Sequence, residues 1–434
     1  MKSRAIICGP LVVACLLSAY ATASSAATFT LVPSPVGKQC GVSDINNGGD
    51  TVGGCTSSNP SGAGVAWYAP SGGNQAALAT LVPGKPCAAM GVTNVRVIFG
   101  TCMDTNGQFQ AVSWGSPNAS PVKFSPRSAL LSNGVIARLS AYNQNGDAAG
   151  YSVAGSRSST VVVWPKGSTS PVVVASNLLG GILGLDYDNC SVADITEPSS
   201  SLPSVAMNCP RTSDGGNQAV VALPASSTSY TLQNLALPTG AVQCSVSGIN
   251  ISRNTVGTCV YLPDTTVTPA VTITKMVFWP TPTSMPTVLS LLANESLLNN
   301  AGTAINDNGN MVMSYERTDG HSGVAYVAVG SGMSNPVTTL VPPETSGTGI
   351  VATGFANNNA IALMGQDSNG YAHPALFNAD GSLTEALAPF LAGGTHAVIS
   401  VLSQDGSKGA GSAEDSTHTD DAVTITLPTS PRLQ

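Results

Sequence analysis

Charged residues are scarce in this sequence. They make up 9% of its 434 residues, against roughly 25% in an average globular protein. This scarcity argues against coiled coils and long solvent-facing helices, which need Glu, Lys and Arg. The formal net charge is −7. The chain therefore lacks the basic surface on which nucleic-acid binding depends, and no nucleic-acid partner is expected.

Long apolar runs are missing from the chain beyond its N-terminal segment. No later segment approaches the roughly 20 apolar residues of a membrane-spanning helix. We therefore expect no transmembrane span. Residues 1–27 combine a basic start, an apolar stretch and small-residue cleavage sites, which is typical of a secretory signal peptide. Residues 28–434 are expected to be secreted, periplasmic or at the cell surface. The alternative is a lipoprotein anchored at Cys15, because Val12-Val13-Ala14-Cys15 resembles a lipobox.

Cysteine is the most informative residue type that is present. After the signal segment eight remain, in the order Cys40, Cys55, Cys87, Cys102, Cys190, Cys209, Cys244 and Cys259. Paired consecutively, they are 15, 15, 19 and 15 residues apart. An even number in an exported chain indicates disulfide bonds. A zinc site would need closely spaced Cys pairs, which this sequence lacks, so no metal or cofactor is expected.

The spacing also selects the partners. The midpoint of the first pair falls between Asn47 and Gly48, and Asn-Gly favours a two-residue hairpin turn with φ > 0 at both positions. A hairpin turning there places Cys40 opposite Cys55, within disulfide range. The sequence therefore predicts the bonds Cys40–Cys55, Cys87–Cys102, Cys190–Cys209 and Cys244–Cys259. Chain entropy assigns each a contribution of roughly 3 kcal/mol.

The chain is also a repeat. All four Trp residues end similar apolar strands, namely Trp67, Trp114, Trp164 and Trp279. Weaker markers continue the series at Ala222, Tyr326, Phe377 and Ile425. A period near 50 residues with several strands in each unit indicates a β-propeller. A large apolar residue recurring in each unit favours a core position over a ligand-stacking surface.

Four strands fit each unit. In the first they are predicted at 41–45, 51–55, 64–68 and 76–82. Glycines in the second strand, at Gly53, Gly100, Gly150, Gly257 and Gly365, indicate close backbone approach. The last unit has only three strands, and 28–33 has the character of the missing fourth. We therefore predict an all-β fold, a single closed β-propeller of about eight four-stranded blades whose N-terminal strand completes the last blade. The alternative has seven blades, if 189–238 is an insertion.

The pattern Asp44-Ile45-Asn46-Asn47-Gly48 followed by Val52-Gly53 resembles the HAF-type extracellular repeat of bacteria. Partial matches occur at Gly248-Ile249-Asn250 and Ala304-Ile305-Asn306. The family's His-Ala-Phe-x-Trp strand keeps its His only at His373, and the other units have Gln110, Thr160 and Lys275 there. The resemblance covers nearly all of residues 28–434. It implies an exported repeat protein with propeller-like folding. The family carries no general catalytic assignment, so the resemblance assigns no functional residue.

Familiar catalytic motifs are missing, including nucleophile-elbow, zinc-protease and phosphate-loop patterns. Four His occur, at His321, His373, His396 and His418, and an acidic group at Asp186, Asp188 and Asp194. Polar-face roles explain the histidines most simply, and Asp186 and Asp188, which share one polar run, are expected to face solvent. Segments beginning at Asp104, Asn306 and Asp367 resemble fragments of calcium loops, but each lacks the bidentate Glu and favours a hairpin turn.

Two classes of function fit this sequence. The first is a monomeric, non-enzymatic propeller that binds a protein or glycan. The second is a propeller enzyme acting on a polysaccharide or cell-envelope polymer. Clustering of His373, His396 and Asp405 at one end of the channel would favour the enzyme, and dispersion over outer loops would favour binding. A purely structural envelope protein would have no concave site.

Overall fold

The computed structural model describes residues 28–34, 38–57, 64–127, 136–154, 158–175, 185–197, 202–262, 273–289, 297–317, 321–329, 338–340, 349–378, 383–386 and 391–427. The expected signal peptide, 1–27, and Cys15 lie outside these residues. Within the described part, no helix is long and apolar enough to cross a membrane.

Eight antiparallel sheets of four strands each form a propeller ring. In chain order the strands are β1 (Thr28–Leu31), β2 (Lys38–Ile45), β3 (Thr51–Ser57), β4 (Val65–Ala69), β5 (Ala76–Ala77), β6 (Cys87–Val92), β7 (Ile98–Met103), β8 (Phe109–Trp114), β9 (Val122–Lys123), β10 (Ile136–Tyr142), β11 (Ala148–Ala154), β12 (Ser158–Trp164), β13 (Val172–Ala175), β14 (Ser191–Ile195), β15 (Val205–Pro210), β16 (Asn217–Ser226), β17 (Ser229–Asn234), β18 (Ala241–Ile249), β19 (Thr255–Tyr261), β20 (Ile273–Trp279), β21 (Thr287–Val288), β22 (Leu297–Ile305), β23 (Met311–Arg317), β24 (Ser322–Val327), β25 (Thr338–Leu340), β26 (Val351–Phe355), β27 (Ile361–Gln366), β28 (Ala372–Phe377), β29 (Leu383–Ala386), β30 (Ala397–Leu402), β31 (Lys408–Glu414) and β32 (Asp420–Thr426). A short 3-10 turn, Tyr187–Asn189, precedes β14.

The blades follow the chain in groups of four strands, from β2–β5 as blade one to β26–β29 as blade seven. Blade eight consists of β30, β31, β32 and β1, and β1 pairs antiparallel with β32. Blade four, β14–β17, is a regular sheet, so 189–238 is a blade and not an insertion. First strands of neighbouring blades contact one another at most junctions, and β2 of blade one contacts blade eight. Between blades two and three, β10 contacts β7 and β8. The first strands therefore surround the central channel.

The core lies between adjacent blades. Trp114, Trp164 and Trp279 are fully buried, and each is the residue that pairs with the first residue of its second strand. Trp67 is equally buried but lies two residues earlier, because Ala69 takes that register position in blade one. The predicted core role is confirmed for all four, whereas the predicted equivalence of Trp67 with the others is wrong.

Every first strand contains a β-bulge at the same place. In blade one the register shifts between Val42 and Asp44, which leaves Ser43 unpaired. The corresponding unpaired residues in blades two to eight are Met90, Ser140, Ala193, Ser247, Thr303, Thr353 and Ser400. The repeat pattern of the sequence does not indicate this feature.

The bulge explains the glycines of the second strand. Gly53 pairs with Val42 beside the bulge, and a Cβ there would lie 1.9 Å from the Gly41 carbonyl oxygen. The same approach occurs at Gly100, Gly150, Gly257 and Gly411. Gly365 does not belong to this set, because Leu363 occupies the equivalent position of blade seven and Gly365 pairs with His373.

The four disulfides in the structure are the pairs that the spacing predicts: Cys40–Cys55, Cys87–Cys102, Cys190–Cys209 and Cys244–Cys259. Their Cα atoms are 4.0–4.1 Å apart. The turn that joins these strands differs from the predicted one. The positive φ falls on Gly49 (85°), so the loop is one residue longer than a two-residue Asn-Gly hairpin. The bulge at Ser43 offsets this extra residue, which restores the pairing of Cys40 with Cys55.

The fourth strand of blade one is shorter than the predicted 76–82. It ends at Ala77, after which Leu78 is buried beside Trp114 of blade two. The Trp114 indole donates a hydrogen bond to the Ala79 carbonyl at 2.8 Å. The chain therefore leaves the sheet early in order to contact the next blade.

Candidate functional site

The turns between first and second strands lie at one end of the ring. Asn46 begins the turn of blade one, where its side chain accepts the Asp50 N–H at 2.9 Å. Its amide also donates to the Thr93 carbonyl of blade two at 3.0 Å. Three further buried asparagines, Asn143, Asn250 and Asn306, make the same contact with the following blade. The Ile-Asn motif thus joins neighbouring blades as well as closing a hairpin.

The residue after this position, or the second residue after it in blade eight, extends a circle of hydrogen bonds, which we call the turn ring. Its N–H donates to the next blade's turn, as from Asn47 to the Asn94 side chain at 2.9 Å. The described donor–acceptor pairs are Asn47–Asn94, Asn94–Gln144, Gln144–Glu197, Ile251–Asp307, Asp307–Asn357, Asn357–Gln404 and Asp405–Asn47. The turn ring is interrupted between Glu197 and Ile251, because the isoleucine side chain has no hydrogen-bond acceptor. Much of the polarity at this end therefore serves contacts between blades.

Two buried aspartates also join blades near the channel. Asp44 accepts hydrogen bonds from the Val92 N–H, at 2.8 Å, and from the Tyr142 hydroxyl two blades away. Burial raises the pKa of Asp44 to about 6, although both hydrogen bonds oppose this shift. Asp194 has the equivalent position in blade four and accepts the Ile249 N–H at 3.0 Å. Burial likewise raises its pKa to about 6.

The four histidines lie at the opposite end of the ring, which carries the turns between second and third strands. They are His321, His373, His396 and His418. Within this set His373 has a structural explanation. Its Nε2 lies 3.2 Å from Asp367 Oδ2, and Gln110 makes the equivalent contact with Asp104 in blade two at 2.8 Å. His373, the one histidine in register with the HAF-type pattern, thus supports a turn.

Glu414 forms the centre of a cluster in blade eight. It is 7% exposed and accepts hydrogen bonds from the N–H and hydroxyl of Thr395. Its Oε1 lies 2.9 Å from His418 Nδ1, and its Oε2 lies 3.6 Å from His396 Nδ1. The hydrogen bonds from Thr395 and then that from His418 lower the pKa of Glu414 to about 2. The carboxylate therefore stays ionised throughout the range in which histidines titrate.

The same cluster reaches blade seven through an aromatic contact. The rings of Tyr371 and His396 are parallel within 2°, with centroids 6.5 Å apart. Tyr371 is 43% exposed, and His396 Nε2 lies 3.1 Å from the carboxylate of Asp420. We call Tyr371, His396, Glu414, His418 and Asp420 the seam cluster. It presents two flat rings, hydrogen-bond acceptors and an exposed imidazole at one junction between blades.

His418 occupies a conformation that usually belongs to glycine. Its φ is 60°, and the equivalent turns of blades two and seven have Gly107 and Gly370 at φ values of 77° and 84°. A non-glycine residue there costs on the order of 1 kcal/mol or more. The side chain is nevertheless 72% exposed. Strained residues cluster at functional sites, so this exposed histidine makes the turn a candidate functional position.

The other candidate residues are dispersed. Asp405 belongs to the turn ring, at the opposite end of β30 from His396. Asp186 precedes the 3-10 turn and Asp188 lies within it, whereas Asp194 contacts blade five, so the three do not form a paired-carboxylate site. The three segments that resemble calcium loops are hairpin turns. His373 and His396 therefore lie at one end of the ring and Asp405 lies at the other, so the three residues do not cluster as the enzyme class would require.

Sequence reasoning missed the connection among Tyr371, His396 and His418. Tyr371 lies in blade seven and the two histidines lie in blade eight, and no spacing rule relates them. One available signal was the turn Asp415-Ser-Thr-His418, which has His where Asp104-Thr-Asn-Gly107 and Asp367-Ser-Asn-Gly370 have Gly.

Comparisons with known proteins return structural likenesses only. No family model matches the chain, and neither does any curated protein sequence. BP39L lectin from Burkholderia pseudomallei is 14% identical, with 81% of this chain and 98% of that chain covered and a TM-score of 0.39. A post-proline cleaving enzyme from Rickettsia typhi is 10% identical, with 80% and 53% covered and a TM-score of 0.47. TolB from Acinetobacter baumannii is 9% identical, with 79% and 78% covered and a TM-score of 0.33. The chain spans about half the length of the prolyl endopeptidases it matches. None of these likenesses indicates a ligand or an activity.

Proposed function

We propose that this protein is an exported β-propeller that binds a glycan, without catalysing a reaction, at the seam cluster of blades seven and eight. The observation that carries the proposal is the parallel pair formed by Tyr371 and His396 beside the carboxylate of Asp420. Flat rings contact the apolar faces of sugar rings, and carboxylates accept hydrogen bonds from sugar hydroxyls. Together they form a surface that offers both kinds of contact.

Export rests on two features that agree with each other. Residues 1–27 have the pattern of a signal peptide, and disulfides are characteristic of oxidising compartments. The HAF-type resemblance also implies an extracellular repeat protein. We propose a monomer that is secreted, periplasmic or at the cell surface.

A binding screen of the exported protein against immobilised glycans and peptidoglycan tests the function. We expect one glycan class to bind, and Tyr371→Ala and His396→Ala each to weaken binding at least ten-fold. Tyr371→Phe keeps the ring and is the matched control, so its affinity should stay within a few-fold of wild type. Binding that is indifferent to Tyr371→Ala would contradict the assignment to this seam. Capture of a protein and no glycan would favour a protein ligand.

A second candidate function is polysaccharide hydrolysis, which the contact between His418 and Glu414 favours. A buried carboxylate on Nδ1 orients an imidazole and leaves its exposed Nε2 available to accept a proton. The variant His418→Gly tests this role cleanly, because glycine occupies the equivalent turns elsewhere and the fold should tolerate it. Release of reducing ends by wild type but not by His418→Gly would establish an enzyme. No release by either protein would leave the binding module as the function.

A further inference from the structure

A groove opens between blades two and three, on the same end of the ring as the histidines but away from the seam cluster. Its volume is about 580 Å³, within the roughly 300–1,000 Å³ typical of small-molecule sites. Met90, Phe109 and Arg138 are among the residues that line it. Phe109 is 48% exposed and Met90 is 37% exposed. The groove thus has apolar walls and a cationic group.

Met90 is unusual for its place in the repeat. It is the unpaired bulge residue of β6, whereas the bulge residue of every other blade is Ser, Thr or Ala. The bulge geometry therefore does not require a large apolar side chain. Blade two alone exposes one here.

Phe109 and Arg138 are equally unusual. Phe109 pairs with Met103 at the start of its third strand. Six other blades have at that register Ser159, Asn217, Thr274, Ser322, Ala372 and Asp420. In blade one the corresponding place falls on Gly64, directly before β4. Arg138 lies two residues before the bulge of β10. The equivalents of Arg138 are Gly41, Ala88, Ser191, Ser245, Ala301, Val351 and Val398. Three separate departures from the repeat therefore line one groove.

Arg138 is also without an ion pair or side-chain hydrogen bond in the described part of the chain. A guanidinium group recognises a carboxylate through two parallel hydrogen bonds. Methionine and phenylalanine side chains supply adaptable apolar contact. In an acidic protein, an exposed arginine with no ion pair or side-chain hydrogen bond to the described residues is well placed for an anionic ligand.

We propose that this groove binds a small hydrophobic carboxylate, with its anionic group on Arg138 and its apolar part between Met90 and Phe109. This site is distinct from the seam cluster and does not depend on the glycan proposal. The groove has room for an aromatic acid or a short aliphatic acid. The charge on Arg138 selects the acid over its uncharged amide.

Calorimetric titration of the exported protein with phenylacetate, and with phenylacetamide as the uncharged counterpart, tests the proposal. We expect phenylacetate to bind at least ten-fold more tightly than the amide. Arg138→Ser should abolish this preference, while Met90→Ser and Phe109→Ser should weaken both probes. All three substitutions introduce a residue that other blades carry at the same register, so each variant should fold. Arg253→Ser, which removes an exposed arginine at the opposite end of the ring, is the matched control and should bind like wild type.

Equal affinity for the acid and the amide would overturn the proposal, as would equal loss in Arg138→Ser and Arg253→Ser. Failure of phenylacetate, benzoate and decanoate to bind at millimolar concentration would also overturn it. Light scattering supplies the remaining outcome. If Phe109→Ser converts a dimer into a monomer, the groove is an interface between copies of this chain and not a ligand site.

Discussion

At the scale of single residues, the position of a tryptophan within its strand decides whether its indole finds a partner. The indoles of Trp114, Trp164 and Trp279 donate to carbonyls of the preceding blade at 2.8–2.9 Å. Trp67 is displaced by two residues, and its Nε1 is buried with no hydrogen-bond partner in the described structure. Composition and periodicity do not distinguish the four tryptophans, although the hydrogen bonding of Trp67 differs from that of the other three.

Replacement of Trp67 by Phe should therefore be tolerated better than replacement of Trp114 by Phe. Trp114→Phe loses a buried hydrogen bond and orphans the Ala79 carbonyl, and the difference should be about 1 kcal/mol. Urea unfolding of both variants measures it. A larger loss in Trp67→Phe would mean that this indole has a partner, such as a buried water.

The buried aspartates give the protein a pH dependence with a definite sign. Because burial raises the pKa of Asp44 from 3.8 to about 6, its protonated form is favoured in the folded state. The associated stability is complete below pH 4 and is lost as the pH rises through 6. For one such group the loss approaches about 3 kcal/mol.

Asp44→Asn should therefore flatten the decline of stability between pH 4 and pH 7. Tyr142→Phe should act differently, because the tyrosine hydrogen bond lowers the pKa of Asp44. Its removal should move the decline to higher pH. Chemical denaturation across this pH range measures both effects. Identical pH profiles for wild type and Asp44→Asn would exclude Asp44 as the titrating group.

At the scale of elements, the bulge in the first strand of blade one requires glycine at the facing position of the second strand. Gly53 is placed opposite the bulge, while its neighbour Gly54 has open space around its Cβ position. The sequence predicted close approach at the strand glycines but not its cause, since a bulge changes register without leaving a local motif. The disulfide partners remained predictable, because the longer turn and the bulge offset each other by one residue.

Gly53→Ala should destabilise the protein by about 3 kcal/mol, because the new methyl group would collide with backbone that cannot move without breaking the strand pair. Gly54→Ala should change stability by less than about 0.5 kcal/mol and is the matched control. Thermal unfolding of the two variants under oxidising conditions makes the comparison. Equal effects would show that the bulge is not rigid.

At the scale of the whole molecule, the two ends of the described chain meet in blade eight. β1 pairs with β32, and Val32 is buried with Trp67 and Ala422 where blade eight contacts blade one. The repeat pattern led to this expectation, because the last unit has three strands and residues 28–33 resemble a fourth. The seam cluster could not be foreseen in this way, since its residues are brought together by packing between blades and not by the repeat.

Deletion of residues 28–34 should lower stability by about 2–4 kcal/mol, through the exposure of Val32 and the loss of strand hydrogen bonds. A synthetic peptide of residues 28–36 added in excess should recover part of this loss, and a scrambled peptide should not. Thermal unfolding with and without peptide measures the effect. Unchanged stability in the deletion variant would mean that blade eight is stable with three strands.

The turn ring has a consequence for the history of such molecules. Each turn gives one donor to the blade after it and offers one acceptor to the blade before it, so the contact between blades is directional and the same at most seams. A blade inserted by duplication would bring both halves of this contact with it, and a blade lost would leave two halves that still match. Blades built in this way are interchangeable parts. The number of blades can therefore change in evolution while the contacts between neighbouring blades stay the same. Within the described chain, the junction between Glu197 and Ile251 is an exception, because there the shared hydrogen bond has been lost.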